Sequence, residues 1–151
     1  MPESPVASTY LSLNVHVIFA TKGRRPLIAD EWRGDLHAYL GGTLRGLGAH
    51  PFAIGGVADH VHLLAGLRGI HAVADLVREV KKASSSWASA RAPGFAWQEG
   101  YAALSVRAED VCAVADYIGR QEEHHRRLSS AEELRQILAE AGVEVDERFF
   151  D

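Results

Sequence analysis

The chain has 151 residues, 47% hydrophobic and 24% charged, with a formal net charge of −4. That length is expected to form one domain over residues 1–151, burying about two-thirds of its unfolded surface. No apolar run approaches the ~18–20 residues of a membrane span, and the start, Met1-Pro2-Glu3-Ser4-Pro5, lacks the basic-then-apolar order of a secretory signal, so a cytoplasmic location is expected. Cys112 is the only cysteine, which excludes an intrachain disulfide and a cysteine-rich zinc site. Any metal must therefore use nitrogen and oxygen ligands, a chemistry that favours Mg²⁺ or Mn²⁺ over structural zinc. The net acidity argues against a general nucleic-acid binder, but it is unevenly placed. Residues 1–107 carry 11 basic and 8 acidic side chains, residues 108–151 carry 5 and 12. A local basic surface made by Lys22, Arg24, Arg25, Lys81 and Lys82 remains compatible with phosphate binding.

In chain order, Tyr10 to Thr21 alternates as a strand, with Leu11, Leu13, Val15, Val17 and Phe19 on one face and Ser12, Asn14, His16, Ile18 and Ala20 on the other. His16 is expected to be a partly exposed strand histidine. Lys22 to Pro26 is a turn, read either as solvated or as a phosphate-contacting loop. Asp30-Glu31-Trp32 opens a helix, the acids suiting its positive N-terminal end, and Gly46 and Gly48 end it. His50–Val57 and His60–Leu67 read as a strand pair. Asp59 between them is expected to be a turn residue, the alternative being a group that orients an imidazole.

A second helix follows from His71 to about Ala92, where Pro93-Gly94 stop it. Phe95 to Tyr101 holds three aromatics; these either plug the end of the core or stack on unpaired bases, Trp97 and Tyr101 being the candidates. Ala102, Leu104 and Val106 mark a fourth strand. One helix is expected from about Glu109 to Arg127, with Val111, Val114 and Ile118 inward. A last one begins at a capping box, Ser129 with Glu132 or Ser130 with Glu133, and an acidic tail, Glu144–Asp151, follows Gly142. The order β-α-β-β-α-β-α-α fits an α+β, ferredoxin-like (RRM-like) sandwich: a four-stranded antiparallel sheet with two helices on one face and the C-terminal helices added.

Two stretches carry chemistry. In Asp59-His60-Val61-His62-Leu63-Leu64 the histidines leave one face of a strand roughly 6.5–7 Å apart. They either converge on a cation or phosphate or form a hydrogen-bonded pair. In Tyr117-Ile118-Gly119-Arg120-Gln121, Tyr117 and Gln121 stand at i and i+4, about 6 Å apart along a helix axis. They either point together at a partner or leave Tyr117 packed on the core with its hydroxyl at the edge.

With Phe19-Ala20-Thr21-Lys22-Gly23-Arg24-Arg25-Pro26-Leu27, Lys81 to Trp87, Phe95 to Tyr101, Val106 and Gln121-Glu122-Glu123-His124-His125-Arg126 added, the chain resembles the single-tyrosine HUH transposases. These small insertion-sequence enzymes include the REP-associated tyrosine transposases, and the resemblance runs from Leu13 to Arg148. It implies His60 and His62 as metal ligands, Gln121 as the third, and Tyr117 as the nucleophile. It also implies a homodimer in which the tyrosine helix completes the histidine site either of its own subunit or of the other. The expected activity is cutting and rejoining of single-stranded DNA at hairpin-flanked ends through a 5′-phosphotyrosine, with Mg²⁺ or Mn²⁺. Two other readings stand beside it, a domesticated binder of hairpins and a phosphodiesterase in which water attacks.

Overall fold

The computed structural model describes residues 8–150; the reading of Met1–Pro5 as lacking a signal lies outside them, as does Asp151. Among the described residues no helix is long and apolar enough to cross a membrane. Four strands, β1 (Asn14–Ala20), β2 (His50–Gly56), β3 (His60–Gly66) and β4 (Ala102–Val106), form one sheet in the order β2-β3-β1-β4, every pair antiparallel. Helices α1 (Asp30–Gly46) and α2 (Val73–Ser89) connect them. This is the ferredoxin-like α+β arrangement. The chain continues through α3 (Val111–Gly119), α4 (Gln121–His124) and α5 (Ser130–Glu140).

Strand alternation sorts the side chains into two layers. Val15, Val17 and Phe19 of β1 and Val61, Leu63 and Ala65 of β3 join Leu36, Leu40 and Leu44 of α1 and Leu76, Val77 and Val80 of α2 in one core. Each Val, Leu or Phe side chain among them contributes roughly 1.5–3 kcal/mol by leaving water. The aromatic loop closes an end of this core: Phe95 is buried, and Trp97 stands edge-on to Phe19, with ring centroids 4.7 Å apart.

The opposite face is also covered. Ile18, Ala102 and Leu134 make a small second cluster with Phe149 and Phe150 packed on it, so the segment read as an acidic tail folds back as a 3-10 turn over Glu147–Phe150. That cover corrects the expectation for His16, which is buried at 6% exposure. The first strand is shorter than its alternation suggests. Its pairing with β3 and β4 begins at Asn14, and beyond that point Tyr10 and Leu11 are exposed.

The helix expected over 109–127 is broken. Arg120 leaves helical geometry at φ −105° and ψ 25°, next to Gly119, a weak helix former. The end of α3 approaches β2 closely: a Cβ at Gly55 would collide with the Ile118 carbonyl oxygen. Glycine there lets the end of α3 rest on the sheet beside β3. Ser129 caps α5, its Oγ accepting from the Glu132 N–H at 3.2 Å, which leaves Glu133 free for another role.

Candidate functional site

His60 and His62 leave β3 on the face away from α1 and α2, and α3, α4 and the first turn of α5 close over them. His60 Nε2 lies 3.1 Å from Gln121 Oε1 and 3.2 Å from Glu133 Oε1, and His62 Nε2 lies 2.9 Å from Glu133 Oε1. Gln121 Nε2 donates to Glu133 Oε2 at 3.1 Å, and the Tyr117 hydroxyl donates to that same oxygen. His125 Nε2 lies 3.1 Å from both Gln121 Oε1 and Glu133 Oε1. The break at Arg120 therefore does not part Tyr117 from Gln121; both reach Glu133. His60, His62, Gln121 and Glu133 are each at most 2% exposed, while Tyr117 is half-buried. The imidazoles thus sit in a polar pocket that their own chain covers, and not in an apolar interior.

Each strand histidine has an outer partner. His60 Nδ1 donates to Asp59 Oδ1 at 2.8 Å, and Asp59 Oδ2 accepts from Ser130 Oγ at 3.0 Å. Asp59 therefore orients an imidazole, which corrects its reading as a turn residue alone. His62 Nδ1 and His16 Nε2 share a hydrogen bond of 2.8 Å. Such partners fix which ring nitrogen faces inward and raise ligand basicity.

Burial works to raise the Glu133 carboxyl, but hydrogen bonds from His125, His60 and His62 win and hold it far below the usual carboxylate range. Burial also opposes charge on His60, and there the bonds to Asp59 and Glu133 prevail, pushing it up to about 9. His62 goes the other way, lowered by burial despite Glu133. Burial and then the neighbouring His62 push His16 down to about 3. The Tyr117 phenol is raised by burial and by its bond to the ionised Glu133.

One ligand atom each of His60, His62 and Glu133 lies within 4.8 Å of the others. Two imidazoles, a carboxylate and the Gln121 amide oxygen suit a divalent cation. Glu133 was not legible as part of this site, because its spacing from Ser130 reads as half of a capping box; nor was His125, whose neighbours suggest a polar helix end.

The residues expected to touch DNA form one region. The loop around Lys22 is stitched to the aromatic loop through Lys22 N–H to Ala96 O at 2.9 Å and Gly23 N–H to Gln98 Oε1 at 2.9 Å. Lys81, Lys82, Trp97 and Tyr101 line a groove of about 490 Å³ beside it. Lys22, Arg25 and Lys82 are exposed. Arg24 is turned inward, donating to Ser130 Oγ at 3.0 Å and lying over Phe150, and Lys81 donates to Gln98 O and Gly100 O at 2.8 and 2.6 Å. Trp97 Nε1 donates to Ser84 Oγ at 3.0 Å. A second cleft, about 830 Å³, lies between α1, β2 and the α3–α4 break, and its wall includes Gln121, Arg33 and Arg126.

The sequence profile of the family described as "Transposase IS200 like" matches residues 9–121. Among solved structures, a "putative transposase" from Deinococcus radiodurans R1 is similar at a TM-score of 0.62 and 26% identity, over 79% of this chain and 98% of that one. A REP-associated tyrosine transposase bound to a REP hairpin is similar in fold, with a TM-score of 0.60 and 18% identity over 82% of this chain and 74% of that one. No protein of curated function matches the sequence.

Proposed function

The chain belongs to the IS200-like transposase family, and from that premise we propose that it cuts and rejoins single-stranded DNA at hairpin-flanked ends through a 5′-phosphotyrosine on Tyr117. The observation that carries the reading is convergence: Tyr117, Gln121, His60 and His62 all meet around Glu133. In this reading one domain, residues 1–151, holds the nucleophile, the cation ligands and the DNA contacts.

The phenol oxygen attacks phosphorus with loss of its proton and the bond to the 3′ oxygen breaks; the upstream fragment leaves, its 3′ oxygen taking up a proton to become a hydroxyl, while the 5′ phosphate of the downstream fragment stays on Tyr117. Reversal of the step rejoins strands without an outside energy source. An unperturbed phenol is ionised about once in a thousand at pH 7, and the bond to Glu133 holds this one protonated. Glu133 thus positions the hydroxyl in the resting arrangement, and attack requires that contact to open. A divalent cation held by His60, His62, Gln121 and Glu133 would supply positive charge toward a non-bridging phosphate oxygen and the developing phenolate. Asp59 and His16 hold the imidazoles with Nε2 inward. Lys22, Arg25, Lys82 and Tyr101 are the side chains we assign to the strand, and the neighbour solved with a REP hairpin supports a hairpin as the ligand class.

Within the chain the Tyr117 hydroxyl reaches Glu133, which also contacts His60 and His62, and this supports a site assembled by one copy; the homodimer implied by the family resemblance is a separate proposal that sedimentation tests. Full burial of the donors favours a second reading, a hairpin binder that does not cut. Incubation with labelled single-stranded DNA from the flanks of its own gene, with Mg²⁺ or Mn²⁺, separates the two. Cutting predicts a denaturation-resistant complex that Tyr117→Phe abolishes while hairpin binding persists. Binding without any such complex supports the second reading, and an adduct that survives in the variant removes Tyr117 from the chemistry.

A further inference from the structure

The histidine pair, Gln121 and Glu133 do not exhaust the donors at this site. His125 follows α4 directly, its side chain only 9% exposed, and it stands edge-on to His60 with ring centroids 4.6 Å apart. His60 Nε2 and His125 Nε2 face the same two oxygens. The four contacts, 3.1 and 3.2 Å from His60 and 3.1 and 3.1 Å from His125, close an alternating ring of two nitrogens and two oxygens. Edges of about 3 Å are those of neighbouring ligands on one ion with bonds near 2.0–2.2 Å.

The orientation of each group agrees. His125 Nδ1 donates to Leu128 O at 2.5 Å, as His60 Nδ1 donates to Asp59 and His62 Nδ1 pairs with His16. All three imidazoles therefore have the outer nitrogen engaged and Nε2 inward, the arrangement of metal-bound histidines. Gln121 Nε2 is committed to Glu133 Oε2, which turns its oxygen toward the imidazoles. Protons now bridge the nitrogens to oxygens that offer only lone pairs, and a cation satisfies the same atoms with release of those protons.

We propose that His125 is a further ligand of the cation, making a nitrogen-rich site that takes a divalent transition metal in preference to Mg²⁺. Three imidazoles with an amide and a carboxylate oxygen suit ions such as Mn²⁺, Co²⁺ or Zn²⁺, whereas Mg²⁺ favours oxygen ligands and retains water. The proposal deepens the transposase reading by naming the metal class of that site, but its test needs no DNA. A failure to form a DNA adduct would count against the transposase reading and leave this result standing.

Co²⁺ alone is titrated into the full-length protein and followed by calorimetry and visible absorption, with Mg²⁺ as competitor and the exposed-site variant His50→Ala as control. The parent and the control are expected to bind Co²⁺ alike and to retain it against a hundredfold excess of Mg²⁺. His125→Ala is expected to weaken Co²⁺ binding at least tenfold and to shift its absorption bands, with His125→Asp, which restores an oxygen donor, in between. Should His125→Ala fail to fold, His125→Gln decides in the same way. Unchanged affinity and spectrum in the His125 variants, Mg²⁺ displacing Co²⁺ at equal concentration, or no Co²⁺ binding by the parent would each overturn the proposal.

Discussion

The two faces of the sheet are built from alternate residues of the same strands, yet different physics holds them. On the α1–α2 side, Val15, Val17, Phe19, Val61 and Leu63 bury apolar surface, a non-directional term that any well-packed set of similar volume supplies. On the other side, His60 and His62 are held by hydrogen bonds to named atoms of Asp59, Gln121 and Glu133, and His16 by one to His62. There a single lost partner strands a buried polar group. The first face answers to volume, the second to the identity and aim of each atom.

Substitutions on the two faces should therefore fail differently. Leu40→Ala, at a fully buried position, is expected to lower unfolding free energy by about 2–5 kcal/mol; urea denaturation measures it, and cation affinity per folded molecule should stay the same. Gly55→Ala sets a Cβ against the Ile118 carbonyl and should cost about 1–3 kcal/mol as α3 shifts. Because α3 carries Tyr117, adduct yield should also fall in the fraction that folds.

Glu133→Gln keeps shape and removes charge from the polar face. It is expected to cost about 1–3 kcal/mol of stability, while cation affinity, read by Co²⁺ titration, drops by about 10–100-fold. A stability loss with unchanged affinity would erase the distinction between the faces. Smallest of all, Lys82→Ala at an exposed position should leave stability within about 0.5 kcal/mol. Hairpin binding should weaken slightly, its salt slope falling by about 1.

The same difference between the faces governs what was legible in the sequence. Periodicity reveals an apolar face directly, which is why the spans of α1, β2, β3 and β4 and the inward aim of Val61 and Leu63 follow from spacing. The polar face has no such signature. His16 looks exposed until a second layer covers it, and that layer comes from residues more than a hundred positions later. Asp59 and Glu133 sit where turn and capping chemistry already account for them, so the imidazole-orienting alternative for Asp59 is decided, and the contacts of Glu133 appear, only in three dimensions. The break at Arg120 follows a weak helix former, but its position depends on the approach of Ile118 to Gly55, a long-range contact that helical spacing does not encode. His60, His62, Tyr117 and Gln121 stood out because two short motifs pair groups on one face.

Where the DNA becomes attached decides whether Tyr117 is the nucleophile. Protein incubated with single-stranded DNA from the flanks of its own gene and a divalent transition metal is denatured and digested, and the linked peptide is mapped by mass spectrometry. A nucleotide joined through its 5′ phosphate to Tyr117 is expected; attachment at another residue, or cut DNA with no protein linked to it, would remove Tyr117 from the chemistry.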